Sequence, residues 1–479
     1  MLQRLGAAAD RLVRRVMPDP FVLVLALVSV TYGASVLMLA RHGAPVAHGA
    51  TAVPMPLASA VIRASELLFK GFSELLTFAM QMVLIVVTGE AIAASPAVAR
   101  AIRRAASVPR TQGGALWFVS TAAMALGWLH WGFGLMTAAM LAREVGASLR
   151  ARGIPAHAPL LGTAAYMSML LWHAGLSASA PLLINTPGHF LMAEIGVVPL
   201  RETVFLPVNL GVCALLLWLV PWVVRAMAPR DGADAPREGE AVAREPAQGG
   251  EESPSDPPVR ADPASAPAEG AGPTIAERLD GFRGWQVTVA LLGAVFLWHH
   301  VRTRGALEIN HNVLNFAFVM VGMALHPTPV SYARAITASV RGTSGVVLQF
   351  PFYGAIMALM RDSGLGHAIA GGFIAFASAK TLPFFAFLAS LVTKLFVPSG
   401  GGEWAVEGPV MLEAARRLGA PAGLTTMGVA YGNMAGNMFQ PFWALPLLGL
   451  LGLRARDIMG YSLVVFLVAA PLLGLALLI

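Results

Sequence analysis

Cysteine, lysine and charge of either sign are scarce in this sequence. The single cysteine, Cys213, excludes any intrachain disulfide and lies inside an apolar run, where it reads as a small filler. Charged residues make up 12% of the 479 residues, against about 25% in soluble domains, so an ordinary water-soluble fold is excluded. Lysine occurs at Lys70, Lys380 and Lys394, never after a glycine. The G-x-x-x-x-G-K-[ST] loop of a nucleotide-driven pump is therefore absent. H-E-x-x-H and G-x-S-x-G are absent too, which removes the common signatures of zinc and serine hydrolases.

What remains is apolar: 56% of the residues are hydrophobic. Apart from histidine, nothing ionisable as an acid or strong base lies between Thr203 and Val224, between Gly342 and Met360, or from Ile458 to Ile479. Each run can cross a hydrocarbon core, which needs about 17–25 residues. The formal charge of +7 is no nucleic-acid signal, because the basic residues flank apolar runs. Arg4, Arg11, Arg14 and Arg15 precede the first span, Phe21–Leu39, and place the N-terminus in the cytoplasm. The long basic flank and the lack of a clean A-x-A site directly after the apolar run argue against a cleaved signal peptide. The expectation is a multi-pass all-α protein whose partner is the lipid bilayer.

Composition changes from Pro229 to Pro273, where Pro, Gly, Ala, Asp and Glu leave almost nothing to bury. Such a stretch cannot offset its ordering entropy. It divides the chain into an N-terminal membrane repeat (1–228), a disordered cytoplasmic linker (229–280) and a C-terminal membrane repeat (281–479). The halves share landmarks in one order. Lys70-Gly71 and Arg341-Gly342 each open an apolar run, and the same number of residues leads to Ser107 and to Ser378. A glycine cluster follows in each, Gly132-Phe133-Gly134 and Gly400-Gly401-Gly402, then a helix ending "LAREVGA" or "EAARRLGA". Each half closes on a second interrupted apolar segment, "LLWHAGLSASAPLLINTPG" and "AYGNMAGNMFQPFWALP". Paired interruptions of this kind point to a transporter binding site.

Charge placement folds the first glycine cluster back on itself. Arg100, Arg103, Arg104 and Arg110 precede Gly113–Ala142, and Arg143, Arg150 and Arg152 follow it, so both flanks belong on the cytoplasmic side. A re-entrant hairpin turning at the glycines satisfies both. The matching hairpin, about Leu382–Leu418, would enter from the other side and leave Arg416 and Arg417 against the rule. The basic stretch Pro96–Arg110 is expected to lie along the interface. Hairpin tips expose backbone N–H groups that hold an anion, while unwound carbonyls and side-chain oxygens hold a cation. The candidates are His130, Trp131, Gly132 and Gly134; His173, Ser177 and Ser179; Ser399, Gly400, Gly401, Gly402 and Glu403; and Asn433, Asn437 and Gln440. Trp128, Trp131, Trp172 and Trp404 read as packing or interface anchors more readily than as ligand walls. No Lys or Arg lies in the interrupted segments as read, which favours a ligand with one negative charge over a dicarboxylate.

Several longer stretches carry a resemblance: "MPDP" at Met17–Pro20, "TFAMQMVLIVVTG" at Thr77–Gly89, "WGFG" at Trp131–Gly134, "QFPFY" at Gln349–Tyr353, "VPSGGG" at Val397–Gly402, "QPFWALP" at Gln440–Pro446 and "RDIMGY" at Arg456–Tyr461. Together they resemble the bacterial short-chain fatty acid transporter family, over nearly the whole chain outside the linker. The resemblance implies uptake of short monocarboxylates such as butyrate or acetoacetate across the inner membrane. It implies the ion transporter superfamily fold, with two inverted repeats, re-entrant hairpins, broken helices and elevator-like movement. It also implies an Asn where this chain has His130, a His at Glu403, and Glu-Gln-Trp at Asn433-Met434-Ala435. On this reading the chain is no enzyme and needs no cofactor. Trp131, Gly132, Gly134, Ser177, Ser179, Ser399, Gly400, Gly401, Gly402, Asn437 and Gln440 would hold substrate. Glu403, His130 and Asn433 would serve a coupling ion, H⁺ or Na⁺, and a homodimer is left open. A dicarboxylate carrier is the alternative; an intramembrane enzyme with His130, His173 and Glu403 on a metal is the remote one.

Overall fold

A helix satisfies every backbone polar group within its own segment, which is what an apolar chain in hydrocarbon requires. The computed structural model describes residues 20–43, 53–228, 274–305, 309–340, 343–394, 397 and 399–479. Every regular element among them is helical. α1 (Pro20–His42) carries no charge before its last turn, where Arg41 and His42 suit the negative end of its dipole. α2 (Leu57–Glu74) and α3 (Leu76–Ala93) are separated by Leu75 alone. α4 (Pro96–Ala106), capped by Ser95, buries Ile102 and Ala106 and leaves Arg100, Arg103 and Arg104 exposed. It has the amphipathic form expected of an interfacial helix.

α5 (Gln112–Leu129) and α6 (Trp131–Ala151) meet at one extended residue, His130, and fold back on each other. A methyl placed on Gly134 would come within 2.5 Å of the Gly127 nitrogen. At the far end, Arg152 bonds both the Ser107 carbonyl (3.5 Å) and the Ser148 side chain (3.2 Å). Entry and exit of this hairpin therefore lie together. α7 (Ala158–Tyr166) then unwinds through two short 3₁₀ turns before α8 (Ser179–Ile184), short α9 (Met192–Ile195) and α10 (Pro207–Ala226).

The predicted linker lies outside the described residues as far as 273. Its last residues already begin α11 (Ile275–Gly281), whose first turn is closed by a Thr274/Glu277 capping box. α12 (Gly284–Arg304), α13 (His311–Leu325) and α14 (Pro329–Val340) lead into α15 (Ser344–Asp362) and α16 (Leu365–Phe376). α17 (Leu382–Thr393) and α18 (Gly400–Leu418) form the arms of the second hairpin. α19 (Ala422–Asn437) breaks before α20 (Ala444–Leu451), and α21 (Ala455–Ala476) ends the chain. A long helix, a shorter one, two hairpin arms, a broken pair and a closing helix thus follow in the same order from α3 and again from α15.

Among the described residues, five segments are long and apolar enough to cross a membrane, and α14 with α15 would make a sixth as one bent span. The halves interlock where α2 crosses α15. A methyl on Gly71 would stand 2.4 Å from the Gly354 carbonyl oxygen, so only glycine allows these backbones to touch. Beside the crossing, Arg361 grips Glu74 through two bonds of 2.9 and 3.0 Å, and Lys70 reaches Asp362 at 2.8 Å.

Candidate functional site

A glycine stripe sets the geometry of the second hairpin. Gly428, Gly432 and Gly436 recur every fourth residue on α19 and present one face. Methyls there would stand 2.2 Å from the Pro383 carbonyl oxygen, 2.4 Å from Ser390 Cβ and 2.5 Å from Lys394 Cγ. α17 therefore lies against the bare backbone of α19, the close approach that small residues permit. Ser390 and Lys394, one turn apart, are thereby brought to Asn433. Lys394 Nζ donates to Asn433 Oδ1 at 2.9 Å and stands 3.9 Å from Glu403 Oε2. Ser390 Oγ donates to one Glu403 oxygen and Asn433 Nδ2 to the other. Lys394 and Glu403 are both fully buried.

Ser399 caps α18, its hydroxyl accepting from Gly402 N–H at 3.4 Å, and its carbonyl takes Glu403 N–H at 2.8 Å. The N–H groups of Gly400 and Gly401 are left as first-turn donors without intrahelical partners. The His173 ring lies directly over this end: a methyl on Gly400 would fall 2.5 Å from His173 Nε2. That nitrogen is buried and has no hydrogen-bond partner among the described residues. Phe78 and Phe350 cover Gly401, and Tyr353 covers Gly402.

The first hairpin tip reaches the same place from the other half. His130 Nδ1 accepts from Phe133 N–H at 3.2 Å, so this histidine caps α6 as well as ending α5. Its ring stacks on Phe318 at 3.8 Å and its Nε2 has no partner among the described residues. Ser177 Oγ accepts from Trp131 N–H at 2.9 Å, and Leu176 N–H donates to the Trp128 carbonyl at 2.7 Å. Two of the first-turn donors of α6 are therefore taken, leaving Gly132 N–H. Trp131 stacks on Trp172 at 4.4 Å, and Trp443 meets both edge-on at 4.9 and 5.5 Å.

The two broken segments also bind each other. Tyr166 OH donates to the carbonyls of Asn437 (2.8 Å) and Gln440 (3.1 Å), and Asn437 Nδ2 donates to the Met169 carbonyl at 3.2 Å. Ser179 Oγ, Asn437 Oδ1 and Gln440 Oε1 are buried without partners among the described residues. Buried polar atoms are nearly always paired, so these three oxygens remain available to a polar ligand.

The structure thus joins Trp131 to Ser177, Gly400 to His173, and Glu403 to Asn433. It does not bring His130 to Glu403. Among the described residues no three His, Cys, Asp or Glu side chains gather closely enough to hold a metal, so the set His130, His173 and Glu403 is not a ligand triad. Trp131, Trp172 and Trp404 are buried in the core rather than placed at a membrane interface. The sequence reading also missed the cation: Lys394 stands in the second hairpin beside Glu403, so the absence of a basic residue no longer separates one negative charge from two. Ser390, Glu407, Trp443 and His311 were likewise overlooked. His311 is buried edge-on to Phe78, with neither ring nitrogen partnered among the described residues. The period-four glycines and the pair Ser390/Lys394 were the available signal for this face.

A family model described as short chain fatty acid transporter matches residues 1–479. A protein of Escherichia coli (strain K12) named for short-chain fatty acid transport is 35% identical over 464 residues, covering 97% of this chain and 96% of its own. One of Haemophilus influenzae with the same name is 35% identical over 409 residues, covering 84% of this chain and 87% of its own. Among solved structures, the YdaH transporter of Alcanivorax borkumensis, reported for an unusual topology, superimposes with a TM-score of 0.59 at 15% identity, covering 96% of this chain and 98% of that one. MtrF of Neisseria gonorrhoeae, described within a class of antimetabolite efflux pumps, gives 0.53 at 13% identity, covering 96% and 95%. At such identities the structural likeness is one of fold.

Proposed function

Since this multi-pass membrane protein belongs to the short chain fatty acid transporter family, we propose that it is a secondary active, cation-coupled carrier taking up short monocarboxylates such as butyrate or acetoacetate. Its place would be the bacterial inner membrane, with the N-terminus cytoplasmic. The observation that carries this reading is the convergence of two hairpin tips and two broken helices on one buried polar site. The substrate carboxylate would take the N–H groups of Gly400 and Gly401 and the His173 ring, with Ser179, Asn437 and Gln440 completing the polar shell. Preorganised donors at a helix N-terminus suit one carboxylate. The Trp131, Trp172 and Trp443 rings supply an apolar wall for a short alkyl chain. Inverted repeats would let the site face either side, with the hairpins moving as gates in an elevator-like cycle and the chain assembling as a homodimer.

A dicarboxylate carrier is the second reading, and Lys394 favours it: released from Glu403, its ammonium could meet a second carboxylate. Uptake of labelled butyrate and acetoacetate into proteoliposomes, with Na⁺ and pH gradients imposed separately, tests the proposal. Protein-free vesicles are needed alongside, because the neutral acids permeate lipid on their own. Saturable uptake competed by other short monocarboxylates but not by succinate supports the first reading. Competition by succinate alone supports the second, and no protein-dependent uptake of either class defeats both.

A further inference from the structure

Two carboxylates and one ammonium are enclosed together behind the second hairpin tip. Glu403 is well served, accepting from Ser390 and Asn433 with Lys394 at 3.9 Å. Glu407 is not. It lies one turn further along α18, so the two acids share a face. It is 6% exposed, and neither of its oxygens has a hydrogen-bond partner among the described residues. The Thr393 hydroxyl is the neutral group that lies beside it. With all three groups ionised, the cluster carries one net negative charge away from water. Burying an ionised carboxylate with no donors costs several kcal/mol more than burying the neutral acid.

Five helices pack closely against α18, and each carries few groups able to compensate that charge. α15 contributes Tyr353, whose hydroxyl donates to Gln349. α16 carries His367. α17 leads into Lys394, already engaged with Asn433. α19 contributes Asn433 and also carries Tyr431, whose hydroxyl donates to Asn209. α8 has no titratable side chain, and His173 meets α18 at Gly400. Lys394 is the cation the two acids share among these groups.

We infer that Glu407 carries a proton when the site is closed and is the residue through which transport is coupled to proton entry. This rests on the reading of the chain as a coupled carrier and names its driving ion. The step is a simple transfer. Hydronium at the outward-open site gives its proton to a Glu407 oxygen, leaving water, and at the inward-open site the O–H bond breaks and the proton passes to cytoplasmic water. One proton per monocarboxylate makes the cycle electroneutral. Lys394 and Glu403 balance each other throughout, so the charge that changes is that of Glu407.

The test uses purified full-length protein. Infrared spectra at neutral pH should show the carbonyl stretch of a neutral carboxylic acid, shifted in D₂O and lost in Glu407→Gln. In proteoliposomes, an outside-acid gradient of one pH unit should raise the initial rate of acetoacetate accumulation well above that of protein-free vesicles, toward the roughly tenfold limit set by one proton per anion. Glu407→Gln should abolish that response and Glu407→Asp should restore it, with an imposed membrane potential changing neither. A band that persists in Glu407→Gln, or gradient-driven accumulation equal to wild type in that variant, overturns the inference. Accumulation that follows a Na⁺ gradient alone overturns it as well, while leaving the carrier reading intact. If no monocarboxylate is moved, the carrier reading fails and the infrared band still decides whether Glu407 holds a proton.

Discussion

Replacing Lys394 with methionine removes one ammonium and keeps most of the stem's volume. The variant strips Asn433 Oδ1 of a donor at 2.9 Å and Glu403 of a cation at 3.9 Å. Glu403 retains its bonds from Ser390 and Asn433, but its charge then stands uncompensated in a fully buried site. Removing one partner of a buried ion pair costs about 3–5 kcal/mol. Because the Lys394–Glu403 contact exceeds hydrogen-bond length and Asn433 mediates it, the expected loss is at the lower end, about 3 kcal/mol. A second change, Glu403→Gln, removes the stranded charge, and the double variant should recover all but about 1 kcal/mol, the residue of a lost hydrogen bond. The four proteins of this cycle can be compared by denaturant unfolding in detergent, followed by tryptophan fluorescence. The coupling energy should be of opposite sign to the single losses and exceed about 1 kcal/mol. If Lys394→Met is as unstable alone as with Glu403→Gln, or costs nothing, the two charges are not enclosed together and the site as described is wrong.

Other outcomes follow from the packing and from the sequence. Gly432→Ala should destabilise by about 1–3 kcal/mol through overpacking, because its methyl would meet Ser390 Cβ at 2.4 Å and the Phe387 carbonyl oxygen at 2.6 Å. Gly449→Ala, with nothing within 4 Å, should be neutral or gain up to about 1 kcal/mol of helix propensity in the same melt. Cysteines placed at 107 and 148, with Cys213 replaced, should show the same protection from an impermeant thiol reagent, since Arg152 bridges Ser107 and Ser148. Opposite protection would restore two through-spans. Deleting Asp231–Ala271 should leave uptake within a few-fold of wild type, because that stretch has little to bury. Complete loss with normal insertion would show that it docks.

The breaks were legible because their causes are local. Gly132, Gly134 and Gly400–Gly402 interrupt helix propensity where they stand, and the structure has a hairpin turn or tip at each cluster. The segments containing Ser177 and Asn437 unwind within the interrupted apolar runs quoted from the sequence. Partnership was less legible. That Asn433 faces Glu403 depends on how α17, α18 and α19 stack, and no property of either residue states it. Lys394 was passed over because it lies just outside the glycine cluster at the C-terminal end of an apolar arm, a place where lysine commonly reaches for water. Its burial follows from the stripe Gly428, Gly432 and Gly436, which draws that end of α17 inward. His130 shows a further case: its Nδ1 serves as a helix cap for α6, a role that depends on the turn it sits in.

Tyr166 has a consequence for how the protein is made. Its hydroxyl serves two carbonyls, those of Asn437 and Gln440, that lie 271 and 274 residues further along the chain. Asn209 likewise accepts from a tyrosine 222 residues later. At about 5–20 residues per second, a ribosome needs about 14–54 s to deliver Asn437 after Tyr166. During that interval the first half is already in the membrane with its unwound stretch, and the polar groups of that stretch must be solvated by something other than their final partners. The early half cannot mature alone, and its quality control is tied to the arrival of the late one. Truncated chains ending before Asn437 should therefore be recognised and degraded rather than stored.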